Sequence, residues 1–365
     1  MKAVFRCDAS IQIGTGHVMR CLTLADALRS EGVESHFICR EHAGHLLELI
    51  AQRGYQSYGL PYTNQAQGSD EDVLEHASWL GATQKEDAKR CGEILQTLQS
   101  DWLIVDHYAL DIFWESAMRS YCQKIMVIDD LADRYHDCDI LLDQNYLPSY
   151  QTRYEKLISE TTIKLLGPSY ALLRDEFKEL RRLKHNINDR ARPQILINFG
   201  GIGNFKLLSN VIEVINNIDS FNYYIVTGKI NPEEICELRK SISNPNITMI
   251  DYTSEMPKLM TESKYALGAS GSTVWERFCL GLNSALVKMA SNQSPLLNYL
   301  KTNDLVDDLG DYKNLSIASL SLFFANLDLD NEKYSKRKKE IMKLIDGNGT
   351  NSVAKVIIEG IKNER

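Results

Sequence analysis

Residues 2–33 commit the start of this chain to a strand–turn–helix unit, and the rest of the sequence keeps repeating that unit. A short apolar run in KAVFRCD (2–8) has strand character, Gly14-Thr15-Gly16 follows, and an amphipathic helical pattern begins at His17. Two glycines let the backbone turn tightly and approach a ligand with no Cβ in the way. The helix start presents unpaired N–H groups and the positive end of its dipole to an anion. His17 sits at that tip, where the dipole favours a neutral imidazole able to accept a proton. The same residues also suit a plain polar cap, because Gly-x-Gly before a helix is a weak signal on its own.

The alternation continues. Strands are expected at 2–6, 35–39, 102–106, 124–129 and 139–142, and helices at 17–31, 42–53, 84–99 and 111–120. Near-continuous apolar strands separated by helices call for a parallel sheet covered on both faces. The charged stretch RRLKHNINDRARP (181–193) breaks the pattern and reads as a linker. A second alternation then begins, with strands at 194–199, 222–227, 246–250, 264–268 and 284–288, and a helical tail from about 330 to 363 interrupted by Gly347-Asn348-Gly349. A chain of 365 residues is long for one core and suits two. The expected fold is therefore α/β, with two doubly wound Rossmann-like domains facing a cleft: an N-terminal domain 1–185 carrying His17 and a C-terminal domain 186–365. Ligands of such sheets lie outside the carboxyl ends of the strands. Those ends hold Gly14–His17 in the first half, and Gly200-Gly201 and Gly268–Thr273 in the second.

Charge and composition narrow the partners. A net charge of −8 disfavours nucleic acid and anionic membrane surfaces. No apolar run reaches the length of about 18 residues that a membrane span needs, nor does the N-terminus resemble a signal peptide, so a cytoplasmic protein without stable membrane insertion is expected. Eight cysteines without a Cys-x-x-Cys pair read as buried thiols. His42 and His45 lack an acidic or cysteine partner at ligand spacing, so neither a metal site nor a cofactor is expected. Gly14-Thr15-Gly16 lacks the third glycine of a dinucleotide fold, and Arg40-Glu41 is a poor ribose clamp, which argues against a dehydrogenase.

The strongest signal of the second half is LGASGSTVWE (267–276). Small residues end a strand, and Ser270–Thr273 open a helix with hydroxyls and free N–H groups suited to a diphosphate. Glu276 falls one turn into that helix, where its carboxylate can accept from both ribose hydroxyls. A plain serine cap with a capping-box acid fits the same letters. Ser291-Asn292-Gln293 follows the next strand, and adjacent amides suit the hydroxyl and acetamido groups of a sugar. In the first half, Val105-Asp-His-Tyr108, Ile128-Asp-Asp-Leu131 and Asp143-Gln-Asn-Tyr146 put polar clusters at successive strand ends, a pattern better explained by a site than by chance.

RCDASIQIGTGHVMRCLTLADAL (6–28), VDHYALD (105–111), VIDDLADRYHDCDILLDQNY (127–146), GPSYALLRDEF (167–177) and GASGSTVWERFCLGL (268–282) together resemble one family. It comprises the UDP-2,4-diacetamido-2,4,6-trideoxy-β-L-altropyranose hydrolases of pseudaminic acid biosynthesis and related spore-coat polysaccharide proteins. The resemblance implies a GT-B architecture and a metal-independent, inverting hydrolysis that breaks the anomeric C–O bond and releases UDP, in a pathway serving cell-surface polysaccharide or flagellin glycosylation. His17 matches the catalytic histidine, Tyr108 and Asn292 match polar positions around the sugar, and Ser272, Thr273 and Glu276 match the UDP-holding loop. The substrate-binding set further takes in Arg6, Asp8, Gly14, Thr15, Gly16, Arg20, Ser270 and Gly271 from the matched motifs, and Gly201 and Gln293 from the strand-end loops. Gly200–Asn204, Asn283 and Ser291 depart from the usual pattern, and the chain is longer in 60–90 and after 300. A GT-B glycosyltransferase using a UDP-amino sugar, or a non-catalytic UDP-sugar binder, are the alternatives. The oligomeric state is open, with a monomer the default.

Overall fold

The computed structural model describes residues 1–63, 74–183, 192–201 and 203–362. The first sheet contains Lys2–Cys7 (β1), Glu34–Arg40 (β2), Gln56–Leu60 (β3), Ser100–Asp106 (β4), Cys122–Ile128 (β5), Ile140–Asp143 (β6) and Ile163–Leu166 (β7). Its order is β3-β2-β1-β4-β5-β6-β7, every pairing parallel. Helices Gly16–Ser30 (α1), Leu47–Gln52 (α2), Gln84–Leu98 (α3) and Ile112–Met118 (α4) make the early crossovers. The chain alternation sends Ala3, Phe5, Trp102 and Ile104 to one face, where Val18, Leu22, Ala25 and Leu28 of α1 cover them. Val4, Leu103, Val105, Ile125 and Val127 go to the other face, beneath Cys91, Leu95 and Trp114. The helix expected over 42–53 is reduced to α2, because Gly44 takes φ +85° and keeps the preceding residues out of helical register.

The second sheet contains Gln194–Asn198 (β8), Asn222–Val226 (β9), Ile247–Ile250 (β10), Tyr265–Ala269 (β11), Asn283–Lys288 (β12) and Asp307–Asp311 (β13), in the order β10-β9-β8-β11-β12-β13. Here Ile195, Ile197, Tyr223, Ile225, Leu267 and Val287 build a core with Leu208, Val211 and Ile212 of Phe205–Ile215 (α6).

Two compact units follow these sheets: Met1–Asn145 with Ser149–Leu172 and Asn348–Arg365, and Tyr146–Pro148 with Leu173–Gly347. The division thus falls after Leu172, where the sequence pattern placed it at 185. Asp175–Leu183 (α5) packs on Met256–Glu262 (α8) and Thr273–Cys279 (α9) of the second unit, and Arg181 donates to the carbonyls of Cys279, Met342 and Ile345. Of the expected linker, residues 184–191 lie outside the described residues. The helical tail separates into Glu332–Leu344 (α12) and Gly349–Lys362 (α13) at the glycine interruption. Helix α13 returns to the first unit, burying Val353, Ala354, Ile357 and Ile361 against α1, while the Trp102 indole donates to the Ile357 carbonyl at 3.0 Å.

An ion-pair cluster ties β1, β2 and α3 together inside the first unit. Arg6 donates to both oxygens of Asp87 at 3.2 and 2.7 Å and to Asp8 at 2.6 Å, and Arg40 donates to Asp87 at 2.6 Å. All four side chains are fully buried. Burial would push the Asp87 carboxyl up, but Arg6 and Arg40 outweigh it and hold it below its ordinary range. Removing one partner of such a cluster strands the others without compensation. Asp87→Ala is therefore expected to cost about 3–5 kcal/mol of unfolding free energy, measured by urea denaturation; a loss within about 0.5 kcal/mol, as for an ordinary surface change, would contradict it.

Candidate active site

The strand order makes β1 and β4 neighbours, with Cys7 beside Asp106, so the chain leaves this pair toward opposite sides. That switch point is where an open α/β sheet leaves a crevice at its carboxyl ends. The loop from β1 is pinned by Ser10, whose hydroxyl accepts from the Gln12 and Ile13 N–H groups and whose carbonyl accepts from Gly14. Gly14 adopts φ +85°, and α1 starts two residues later with the N–H groups of Gly16, His17 and Val18 donating to no described residue.

His17, in the first turn, donates through Nδ1 to Asp106 Oδ1 at 2.6 Å. Arg20, one turn on, grips both oxygens of that carboxylate, at 2.6 Å from Nε and 2.7 Å from Nη2. Burial would push the Asp106 carboxyl up, but the Arg20 guanidinium and His17 outweigh it and hold it well below the usual carboxylate range. With Nδ1 engaged as donor, Nε2 of the neutral ring is the acceptor.

Arg20 also donates to Asp130 at 2.7 Å, and the same oxygen accepts from the Tyr108 hydroxyl at 2.6 Å. Asn145 bridges Asp130 and Asp143, at 2.7 and 3.0 Å, and Arg153 closes the row on Asp143 at 2.9 Å. Burial and the neighbouring Asp130 charge raise the Asp143 carboxyl to about 7. The loop carrying Asp130 is fixed from beneath: Asp129 accepts from the Ala132 N–H and the Tyr154 hydroxyl, both at 2.8 Å. His136 lies under it, donating to Glu115 at 2.7 Å with Asp129 at 3.9 Å. Burial would lower the His136 ring, but those two carboxylates raise it to about 9.

In the second unit, β8 and β11 are the neighbours at the switch point. Asn198 ends β8, accepts from the Gly200 N–H at 3.3 Å and donates to the Val226 carbonyl at 3.0 Å, shaping the Gly200-Gly201 turn. After β11, Ser270 donates to Gln293 at 3.0 Å, and the same Gln293 oxygen accepts from the Met289 N–H at 2.9 Å. The N–H groups of Gly271, Ser272 and Thr273 donate to no described residue. Behind the loop, Arg277 is buried, donates to the Ala269 carbonyl at 2.6 Å and has no ion pair among the described residues. Its desolvation lowers it to about 10. Glu276 is half-buried and its side chain makes no ion pair or hydrogen bond among the described residues; burial raises its carboxyl above the ordinary range.

Of the residues singled out in the sequence, the structure brings His17, Arg20, Tyr108 and the Gly14–Gly16 turn together in the first unit, and Ser270–Thr273, Glu276 and Gln293 in the second. Arg6 and Asp8 are 0% exposed and locked in the ion-pair cluster with Asp87, so they lie beneath the surface. Arg20, committed to Asp106 and Asp130, acts on neighbouring side chains. Asn292 and Gly201 are exposed. Sequence reading had the strand-end clusters containing Asp106, Asp130 and Asn145 but gave them no part beside His17. The signal was the Asp at the strand's end in VDHY. Trp79 and His76, which pack against Tyr108, carried no motif.

No protein-family model matches the chain. It is 28% identical over 307 residues to the UDP-2,4-diacetamido-2,4,6-trideoxy-beta-L-altropyranose hydrolase of Campylobacter jejuni, covering 82% of this chain and 96% of that protein. An uncharacterized protein of Methanocaldococcus jannaschii is 24% identical over 292 residues, 77% of this chain and 54% of its own length. The spore coat polysaccharide biosynthesis protein SpsG of Bacillus subtilis is 24% identical over 147 residues, 40% of this chain and 43% of its own length. The chain thus spans about half the length of two of these relatives. Among solved structures, MurG of Acinetobacter baumannii aligns with a TM-score of 0.69 at 14% identity over 98% of this chain and 99% of that one. The calicheamicin glycosyltransferase CalG4 gives 0.65 at 13% identity, over 98% and 97%. The UDP-GlcNAc 2-epimerase of Neisseria meningitidis gives 0.58 at 14%, over 98% and 100%. The fold is therefore of the GT-B class, built from two Rossmann-like units. The chain is similar in sequence to a named UDP-sugar hydrolase, as its motifs led one to expect.

Two outcomes follow from this geometry. A Cβ at Gly268 would collide with Arg277 Nη1 and lie 2.7 Å from the Asn198 carbonyl oxygen. Gly268→Ala is expected to distort the 268–273 loop and to cost about 1–3 kcal/mol of unfolding free energy, read by urea denaturation; unchanged stability would contradict it. His136, raised in the folded state, contributes stability that is complete below about pH 6.5 and lost as the pH climbs through about 9. His136→Gln should flatten that part of the profile of denaturation midpoint against pH, and an unaltered profile would contradict the assignment.

Proposed function

We infer that the chain is a UDP-sugar hydrolase acting on a UDP-diacetamido-trideoxyhexose, the first unit supplying a base and the second holding UDP. The observation that carries this reading is the His17–Asp106 hydrogen bond at 2.6 Å. A protein that only binds nucleotide sugar has no use for an imidazole whose tautomer is fixed by a buried carboxylate. The similarity to the Campylobacter jejuni hydrolase supports the substrate class.

The chemistry follows from the arrangement. His17 Nε2 takes a proton from water, and the water oxygen attacks the anomeric carbon from the face opposite UDP. The anomeric C–O bond breaks, its electron pair leaves on the β-phosphate oxygen, and the sugar is released with inverted configuration. UDP is a good leaving group, so free N–H groups and hydroxyls at Gly271–Thr273 can receive its charge without a general acid or a metal. Glu276, unpaired and half-buried, accepts from the ribose hydroxyls; Gln293 borders the same loop, and Gly201 lies in the turn after the neighbouring strand β8. Tyr108 and Asn292 contact the sugar, the Gly14-Thr15-Gly16 turn offers its amides to the substrate, and Arg20 is a positioning residue that fixes Asp106. The product is a free diacetamido sugar of the kind used for pseudaminic acid-type nonulosonates, made in the cytoplasm.

The fold neighbours include named glycosyltransferases, so transfer to an acceptor is the rival reading. The deciding experiment is incubation with the UDP-diacetamido-trideoxyhexose without metal or acceptor, following UDP by anion exchange. Release at an enzymatic rate supports hydrolysis; release only when an acceptor is added supports transfer. His17→Asn is expected to keep UDP affinity and to lose about 10²–10⁴-fold in kcat, and Asp106→Asn to lose at least about 10²-fold. Full turnover in the first variant would remove His17 from the base role.

A further inference from the structure

Trp79 stands beside His17 without a task in the reaction just described. It lies in the 3-10 turn Ala77–Leu80, after the segment outside the described residues and before α3. Leu80 anchors the turn in the core, and the Trp79 N–H donates to the His76 carbonyl at 2.9 Å. The indole stacks on the Tyr108 ring, with centroids 5.7 Å apart and planes at 27°, and presents its edge to the His17 ring at 6.4 Å. Tyr108 in turn meets His17 edge to face at 4.6 Å, and His76 braces both Trp79, at 4.5 Å, and Tyr108, at 5.4 Å. Unlike a core tryptophan, Trp79 stays half-exposed, and its indole N–H has no partner among the described residues.

The carboxylates and the hydroxyl around the His17 ring are already engaged. Asp106 is filled by His17 and Arg20, Asp130 by Arg20, Tyr108 and Asn145, and the Tyr108 hydroxyl by Asp130. What remains next to the His17 ring is therefore aromatic surface. The faces of these rings favour an apolar substituent and offer a hydroxyl no partner for the water it loses.

We propose that Trp79, with the Tyr108 ring, is a specificity-determining residue whose indole packs against a methyl group of the substrate sugar beside His17. This rests on the hydrolase reading above. A diacetamido-trideoxyhexose carries methyl groups at C6 and on its two acetamido groups, and the same wall suits either source. It selects methyl-bearing sugars, whereas the base and the nucleotide loop are indifferent to that feature.

The test compares wild type, Trp79→Ala and Trp79→Phe on three substrates: the UDP-diacetamido-trideoxyhexose, its 6-hydroxy analogue, and an analogue with one acetamido group replaced by a free amine. Trp79→Ala is expected to lose about 10–200-fold in kcat/KM on the parent sugar, mainly through KM, while UDP affinity and the thermal midpoint hold. Trp79→Phe, which keeps an apolar ring, should retain most of the rate. Wild type should discriminate against one of the two analogues, identifying which methyl is packed, and Trp79→Ala should lose that discrimination. If Trp79→Ala keeps the wild-type ratio of parent to both analogues, this inference is overturned while the hydrolase reading stands. If the wild-type protein releases no UDP from the parent sugar, the hydrolase reading falls and this inference with it.

Discussion

Asp106 is a carboxylate held ionised in the protein interior, and the arrangement around His17 depends on how that charge is neutralised. An unpaired charge in such a place costs many kcal/mol, so its partners must be close and well aimed. Arg20 supplies two N–H groups from one turn of α1 and His17 supplies a third from the turn before, all within 2.7 Å. The contacts that stabilise the charge also fix the imidazole's tautomer and direction. Arg20 passes the constraint on to Asp130, and Asp130 to the Tyr108 hydroxyl and the Asn145 amide. One buried charge thereby sets the positions of five side chains drawn from α1 and from the loops after β4, β5 and β6.

Two further buried arginine systems differ in how fully they are satisfied. Arg6 and Arg40 share Asp87 and Asp8 in a cluster closed to solvent, which holds the sheet to α3. Arg277, in the second unit, is buried with the Ala269 carbonyl and the Thr273 hydroxyl as partners and no carboxylate ion pair among the described residues. Its charge is left to act on whatever lies at the 268–273 loop, beside three N–H groups that donate to no described residue. An unbalanced positive charge there favours an anion, and the small residues of the loop leave its backbone open.

The central strands were legible because β1, β4, β5 and β6 are apolar on both faces, as parallel strands buried between helices must be. Of the four edge strands, β10 was read at 246–250, but β3, β7 and β13 were not. QSYGL in β3 is half polar, IKLL in β7 is only four residues long, and DDLGD in β13 carries three acids. Those acids are tolerated because Asp307 accepts from Tyr265 and Arg337, Asp308 from Lys301, and Asp311 pairs with Lys288, partners that lie outside the strand itself. The return of α13 to the first unit was equally invisible, since its apolar stripe fits any open helix face. At the candidate site, short-range features could be read: the glycine turn, the histidine at a helix start, the Ser-Gly-Ser-Thr loop. Asp106 as the partner of His17 could not, because it depends on β1 and β4 being neighbours across 89 residues of chain. Arg6 and Asp8 show the converse, since charged residues inside a recognisable motif lie buried where they hold the scaffold.

The account turns on a base in the first unit activating water toward the anomeric carbon. Hydrolysis in water enriched in heavy oxygen, with both products examined by mass spectrometry and the new anomeric proton followed by NMR, tests that directly. The account predicts heavy oxygen in the sugar hydroxyl, none in UDP, and the inverted anomer as the first product. Label in the phosphate of UDP, or a first-formed sugar of retained configuration, would contradict it.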